Sequence, residues 1–256
     1  MKVILWAAVL FVIWTAGVSE AVETKVIVRA KSKDAKFIGS SMGGARVVIR
    51  ESDTGALLRE GFTSGGTGDT EKLMVEPIQR GVPLSDATAA KYETTLEIDR
   101  PTRITVEVSA PAAPLQSTSR SSTEVWLIPG KDLTGDGIIL EIPGFAVTLF
   151  SPQITEGFKL TGEKATIPIR ANIVMMCGCP ITPGGLWDAD QYEVKALLRR
   201  NGKPLEPLPL TYANKKNTFE GTLEVSQDGV YEISVYAYDP RTGNTGVDQT
   251  TILVSR

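Results

Sequence analysis

The chain has 256 residues, with 27 Lys and Arg against 30 Asp and Glu and a formal net charge of −3. This small net charge produces no strong electrostatic field, and the sequence has no basic run and no basic patch interleaved with aromatic residues. These absences exclude nucleic acid as a partner. Histidine, the commonest general base and metal ligand, is absent. No hydrolase, zinc, phosphate-loop or dinucleotide motif occurs either. The composition therefore predicts a protein that is not an enzyme.

The N terminus has the pattern of a secretory signal peptide. Lys2 precedes an apolar run over residues 3–14, and small residues stand three and one positions before a cut after Ala21. The run is shorter than the roughly 20 residues that a membrane span needs. We therefore expect residues 1–21 to be removed on export, leaving residues 22–256 without a membrane span in the periplasm or at the cell surface.

Beyond the leader, apolar and polar residues alternate with the period of a β-strand. The predicted strands of a first series are 24–30, 45–50, 94–98, 102–108, 123–128 and 145–149. Those of a second series are 165–174, 192–200, 208–212, 218–225, 230–238 and 247–254. Asn201-Gly202 predicts a type I′ hairpin, because both positions tolerate positive φ. Only Ser85–Lys91 combines a helix cap with helix formers.

Ser151-Pro152 separates the two strand series. Short, evenly spaced strands with glycine, proline and aspartate turns are typical of antiparallel sandwiches. The sequence therefore predicts an all-β protein with two tandem antiparallel β-sandwich domains, residues 22–150 and residues 151–256. Because the second series is complete in itself, we expect residues 151–256 to fold alone.

Both cysteines lie in Met175-Met176-Cys177-Gly178-Cys179-Pro180, just after a predicted strand. Three interpretations are open: a local disulfide between Cys177 and Cys179, a copper(I) or thiol-redox site that adds the thioethers of Met175 or Met176, or inert packing. The methionines are adjacent, so in a continuing strand they point to opposite faces, and only one can join the thiols.

A long connection follows, from Ile181 to Asp190. Long loops at the end of a sandwich are common binding sites. Trp187, Asp188 and Asp190 therefore form a candidate partner-binding tip. The alternative is that Trp187 folds back to cover the core.

The segment 132–137, Asp-Leu-Thr-Gly-Asp-Gly, is similar to the first half of a calcium loop. Asp132, Thr134 and Asp136 would supply oxygen ligands at positions one, three and five. Pro143 stands at position twelve, where such loops need a bidentate glutamate. A plain Asp-Gly turn is the alternative interpretation.

Residues 43–49, Gly-Gly-Ala-Arg-Val-Val-Ile, are followed by Asp53-Thr54-Gly55 and by Phe62-Thr63. This succession of a strand and a Thr-Gly hairpin resembles the carboxypeptidase-regulatory-like, or transthyretin-like, domain. The family's usual Asp-Gly turn after the threonine is replaced by Ser64–Asp69, Ser-Gly-Gly-Thr-Gly-Asp. The resemblance therefore covers only part of the domain, and it implies a β-sandwich scaffold.

The segment 228–239 followed by Gly243-Asn244-Thr245-Gly246 is similar to the last hairpin of bacterial immunoglobulin-like domains. The resemblance implies a tyrosine corner at Tyr231, with its ring buried and its hydroxyl bonded to an upstream backbone group. Ile233 stands where antibody domains carry a cysteine, so no inter-sheet disulfide is expected. By alternation, Tyr231 and Ile233 share the apolar face, while Tyr236 lies on the other.

These patterns favour an exported, non-enzymatic binding or structural module of the cell envelope, acting through sandwich loops. Its partner would be a protein or another cell-surface component. The alternative function is copper(I) binding or thiol-redox work by the Met-Met-Cys-Gly-Cys loop. Fold alone does not determine function, so the choice between these functions stays open. The sequence does not indicate an oligomeric state.

Overall fold

The structure, a computed structural model, describes residues 20–256, so the predicted signal peptide 1–21 lies almost entirely outside the described residues. The described chain is folded into β-sheets that form two sandwiches, which confirms the all-β prediction. Within residues 20–256, no helix has the length and hydrophobicity that crossing a membrane requires.

The first sandwich contains the strands β1 (Val22–Ser32), β2 (Arg46–Glu51), β3 (Leu57–Phe62), β4 (Tyr92–Ile98), β5 (Thr102–Ala110), β6 (Ser119–Leu127) and β7 (Leu133–Ile142). One sheet has the order β4-β1-β7, in which β1 and β7 are parallel, and the other has the order β3-β2-β5-β6. Alternate residues of these strands, such as Ile104, Val106 and Val108 of β5, are fully buried between the sheets. The alternation in the sequence thus becomes the inner face of the sandwich.

The second sandwich contains the strands β8 (Phe145–Ser151), β9 (Gly157–Lys159), β10 (Ala165–Met175), β11 (Glu193–Arg200), β12 (Lys203–Pro204), β13 (Leu208–Pro209), β14 (Thr211–Tyr212), β15 (Thr218–Val225), β16 (Gly229–Tyr238) and β17 (Thr245–Ser255). One sheet has the order β14-β15-β10-β8. The other has the order β12-β11-β16-β17-β9, with β13 also paired to β11. Asn201 and Gly202 join β11 to β12 with φ values of 49° and 77°, as the hairpin prediction requires.

Strand β8 belongs to the second sandwich, although its position before Ser151-Pro152 predicts the first. It pairs antiparallel with β10, so that Phe145 lies opposite Met175. Phe145, Val147 and Leu149 are buried in the second core. The boundary between the sandwiches therefore precedes Phe145 and does not lie at residue 151, because a strand belongs with the sheet that satisfies its backbone hydrogen bonds.

The helix predicted over Ser85–Lys91 is wrong. Asp86 instead accepts hydrogen bonds from the backbone N–H groups of Thr88 and Ala89 and holds a turn there. A short helix, α1 (Thr70–Met74), begins earlier in the same connection, where the carboxylate of Asp69 caps the N–H of Lys72.

Tyr231 forms the predicted tyrosine corner. Its side chain is 2% exposed, and its hydroxyl donates to the carbonyl of Gln227 at 2.8 Å. Ile233 shares this buried face, whereas Tyr236 lies on the opposite face and its hydroxyl donates to Glu193. The structure thus confirms the assignment of the two faces of β16.

The position of β8 predicts that residues 145–256 and residues 152–256 differ in stability. The shorter chain lacks Phe145, Val147 and Leu149, and full burial of such side chains contributes roughly 1.5–3 kcal/mol each. Their summed loss approaches the whole stability of a small domain, about 5–15 kcal/mol. We expect a dispersed amide NMR spectrum for the longer chain and a collapsed one for the shorter. Equal dispersion of the two spectra would contradict the assignment of β8.

Candidate functional site at the junction of the two sandwiches

The sulfur-rich segment lies where the two sandwiches meet. It directly follows β10 and reverses the chain, because Val174 bridges Pro180 in antiparallel fashion. The N–H of Met175 donates to the carbonyl of Cys179 at 3.2 Å, and the N–H of Gly178 donates to the carbonyl of Met175 at 2.7 Å. The segment is therefore a tight, hydrogen-bonded turn.

Cys177 and Cys179 form a disulfide inside this turn, with an S–S distance of 2.20 Å and a Cα–Cα distance of 5.3 Å. Their side chains are 1% and 5% exposed and belong to the second core. Of the three interpretations of the loop, the structure therefore contains the disulfide. A link across two positions encloses too short a loop to remove much entropy from the unfolded chain, so its effect is to shape the turn.

Gly178 brings this turn against the first sandwich. Its φ is +76°, a conformation that residues with a side chain rarely adopt. A Cβ atom at this position would lie 2.8 Å from the sulfur of Met42, which belongs to the 3-10 turn Ser40–Met42. The backbone conformation therefore favours glycine, and a larger residue would also displace the side chain of Met42.

The two methionines point to opposite sides, as their adjacency predicted. Met175 is buried in the second core and Met176 in the first. The ligands suggested for copper(I) are thus divided between two cores, and both cysteines are held in the disulfide. Within residues 20–256, no three or more Cys, Asp or Glu side chains are grouped as a metal site.

Trp187 corrects the prediction of a partner-binding tip. Its side chain is only 5% exposed, and its indole N–H donates to the carbonyl of Asp34 in the first sandwich at 2.9 Å. The large ring covers the core and its polar edge finds an internal partner, which is how buried tryptophans usually behave. Trp187 therefore makes an intramolecular contact with the first sandwich and is not available to a partner.

Asp188 is likewise occupied within its own loop. One carboxylate oxygen accepts from the N–H groups of Gly184 and Asp190, at 2.9 and 3.1 Å. These backbone hydrogen bonds, that of Gly184 first, hold the pKa of Asp188 below its usual range. Of the three residues of the expected tip, only Asp190 has an exposed side chain.

The structure adds junction residues that the sequence did not indicate. Asn244 is fully buried, and its amide donates to the carbonyl of Lys33 at 3.2 Å and accepts from the N–H of Gly144 at 2.9 Å. Ala35, from the same loop as Lys33, is buried in the second core. The Gly-Asn-Thr-Gly pattern predicted a turn, but nothing in it showed that the asparagine faces another sandwich.

Tyr192 closes the junction beside these residues. Its ring packs edge-to-face on Phe145, with the centroids 5.1 Å apart. Burial, and then the nearby carboxylate of Asp239, raise the pKa of Tyr192 to about 12. The phenol is therefore neutral at physiological pH, and the arrangement favours packing rather than proton transfer.

The predicted calcium loop is not formed. Asp132 accepts from the N–H of Lys25 at 2.8 Å, while the carboxylate of Asp136 accepts from the N–H groups of Leu84 and Ser85, both at 2.7 Å. Burial alone would raise the pKa of Asp136, but hydrogen bonds from Ser85 and Leu84 hold it below its usual range.

Thr134 and Asp136 belong to strand β7, and the carboxylates of Asp132 and Asp136 serve different backbone groups. The Asp-Gly pattern thus marks an irregular strand, with a register shift between Val26 and Val28 of its partner β1.

No family model and no curated protein matches the chain. The fibronectin(III)-like modules of CbhA from Clostridium thermocellum align with 91% of this chain and 94% of theirs, at 13% identity and a TM-score of 0.29. An engineered protein aligns with 51% of this chain, at 16% identity and a TM-score of 0.29, and the chain spans 24% of that protein's length. TM-scores of this size do not identify a shared fold.

The role of Trp187 predicts the effect of Trp187→Phe. This change keeps an aromatic ring but leaves the carbonyl of Asp34 without its donor, so we expect the free energy of unfolding to fall by about 1–3 kcal/mol. Leu186→Ala is the control, because Leu186 is 50% exposed in the same loop. Its effect should stay within about 0.5 kcal/mol. Chemical denaturation measures the free energy of unfolding of both variants. Equal effects of the two substitutions would contradict the role of Trp187 at the junction.

Proposed function

We propose that the chain is an exported, non-enzymatic module of the cell envelope, which binds or spaces other envelope components. In this proposal the first sandwich is carboxypeptidase-regulatory-like and the second is bacterial immunoglobulin-like. The partner is a protein or another cell-surface component. The leader-like N terminus and the disulfide support an oxidising compartment outside the cytoplasm.

The use of the buried polar side chains carries the proposal. Trp187 and Asn244 bond backbone groups of the neighbouring sandwich or of the connecting chain. Arg29, which is 4% exposed, donates to the carbonyls of Ala89 and Ala90 at 2.6 and 3.0 Å. An active site instead aims such groups at a space for substrate. Polar groups that hold backbone favour a structural or binding role.

The connection between β3 and β4 supplies the loop for this role. Its tip exposes Val75, Ile78 and Val82, which are 57%, 75% and 48% exposed. Its base is fixed by the bonds of Leu84 and Ser85 to Asp136. Exposed apolar side chains grouped on a firmly held loop are typical of interaction surfaces. This tip replaces the Trp187 loop as the proposed contact with a partner.

The proposal predicts both the cellular location of the protein and the loop through which it binds a partner. The protein recovered from its own cells should be in the envelope or medium, with Val22 as its first residue by mass spectrometry. Purified protein should co-sediment with envelopes, and Ile78→Ser should reduce the bound fraction, because it removes apolar area from the contact. Leu186→Ser, at another exposed loop, should leave it unchanged. Cytoplasmic protein that retains Met1 would contradict export, and equal binding of both variants would contradict the tip.

The alternative proposal is copper(I) binding or thiol-redox work by the Cys177–Cys179 turn. Such a role requires reduction of the disulfide, because the thiolate is the metal ligand and the nucleophile. An anaerobic copper(I) titration of the reduced protein, with a competing chelator, should then show one tight site. The same titration of the Cys177→Ser, Cys179→Ser double variant should show none. Equal curves for the two proteins would eliminate the alternative.

A further inference from the structure

Strand β6 has a long edge without a partner. It is the last strand of its sheet and pairs only with β5. In the part of the chain that the structure describes, no other backbone or side-chain hydrogen bond is made to the main chain of residues 119–127. Unpaired N–H and C=O groups at a sheet edge are a template for another strand. This edge is therefore open to sheet extension.

Two other edges of the molecule are covered. At β8, the hydroxyl of Ser117 bonds both the N–H and the carbonyl of Val147, at 3.0 and 3.1 Å. The carboxylate of Asp248 accepts from the N–H of Leu149 at 2.8 Å. Beside β3, the hydroxyl of Tyr92 donates to the carbonyl of Glu60 at 3.0 Å. The edge of β6 carries no such cap.

The exposed face of β6 is complementary to itself. Arg120 and Glu124 lie on that face, two positions before and two positions after Ser122, with side chains 71% and 52% exposed. We propose that β6 pairs antiparallel with β6 of a second copy about a twofold axis at Ser122. Arg120 then faces Glu124 of the second copy, twice by symmetry, and opposite charges across a strand pair stabilise it.

The present ion pairs of these residues leave them available for such a contact. Arg120 lies 3.7 Å from Glu107, and Glu124 lies 3.6 Å from Arg103. All four side chains are substantially exposed, and exposed pairs of this kind contribute little stability. Pairing with a second copy therefore adds charge contacts without breaking strong ones.

The apolar neighbourhood of the edge adds a driving force. A groove of about 480 Å³ runs between β6 and β7, and Val125, Trp126 and Leu133 are among its lining residues. In the proposed register, Ser119 of the second copy pairs with Val125. The added strand therefore covers part of this groove, and removing apolar surface from water favours association.

Strand β4 is also the last strand of its sheet, but its charges oppose the same arrangement. Glu93 and Glu97 lie on its exposed face, two positions before and after Thr95. Pairing of two copies about Thr95 would place like charges opposite each other, which is destabilising. The charge pattern thus favours β6 over β4 as the edge that joins two copies into one eight-stranded sheet.

Sedimentation velocity over a range of concentrations tests this proposal. The protein used is residues 22–256, which includes all the buried residues of the described chain, since the first of them is Thr24. The wild-type protein should shift from monomer to dimer. Arg120→Glu and Glu124→Arg should each weaken association about tenfold or more, because two attractive pairs become repulsive. Mixed in equal amounts, the two variants should restore the dimer, since each new glutamate at position 120 meets a new arginine at position 124.

Lys216→Glu is the matched control, because it makes the same charge change as Arg120→Glu at an exposed loop residue of the second sandwich, away from β6. It should dimerise like the wild type. Recovery of the dimer on mixing also shows that both variants are folded. A wild-type protein that stays monomeric, single reversals without effect, or a mixture that does not associate would each overturn the proposal. So would binding of an extended peptide to a monomeric β6 edge, which would assign that edge to another partner.

Discussion

Burial of both faces of the chain where β10 ends is the constraint on which the junction depends. Along most of β10 only alternate residues are buried, but Ile173, Val174, Met175 and Met176 are buried in succession. Ile173 and Met175 lie in the second core, while Val174 and Met176 lie in the first. One short stretch of backbone thus contributes side chains to the cores of both sandwiches. Any relative movement of the sandwiches would expose apolar side chains to water, which is unfavourable.

The polar groups around this layer complete what apolar packing alone does not specify. Hydrophobic contact is non-directional, whereas the bonds of Trp187 and Asn244 to the 33–35 loop each require one geometry. Ala35 fills the second core from the side of the first sandwich. The disulfide turn adds the contact of Gly178 with Met42. Together these contacts favour a single mutual arrangement of the sandwiches.

Arg29 plays a corresponding part within the first sandwich. Its guanidinium lies 5.7 Å from the ring centroid of Phe37 and holds the carbonyls of Ala89 and Ala90. Burial lowers the pKa of Arg29, while the nearby charge of Asp136 opposes that shift. Asp136 in turn fixes the chain at Leu84. The long connection is therefore secured at its base by two charged groups, although its tip is exposed.

Local alternation of residues was sufficient to predict most strands and the faces of β16, because period two is a property of each strand by itself. It missed β7, where Gly135 and Gly137 interrupt the alternation and the aspartates resemble a calcium loop. The sandwich to which β8 belongs depends on its partner β10, which local pattern does not contain. For the same reason the sequence could not show that Trp187 faces Asp34, 153 positions away.

The caps on the free edge of β8 have a consequence for the order in which the chain is made. Ser117 precedes Val147 by 30 residues, but Asp248 follows Leu149 by 99. During vectorial synthesis or translocation, β8 emerges long before the strand that carries Asp248. The edge of β8 therefore remains available to other strands until Asp248 has appeared. Strand β17 completes the protection of the edge, so a chain that ends before Asp248 leaves the N–H of Leu149 without this cap.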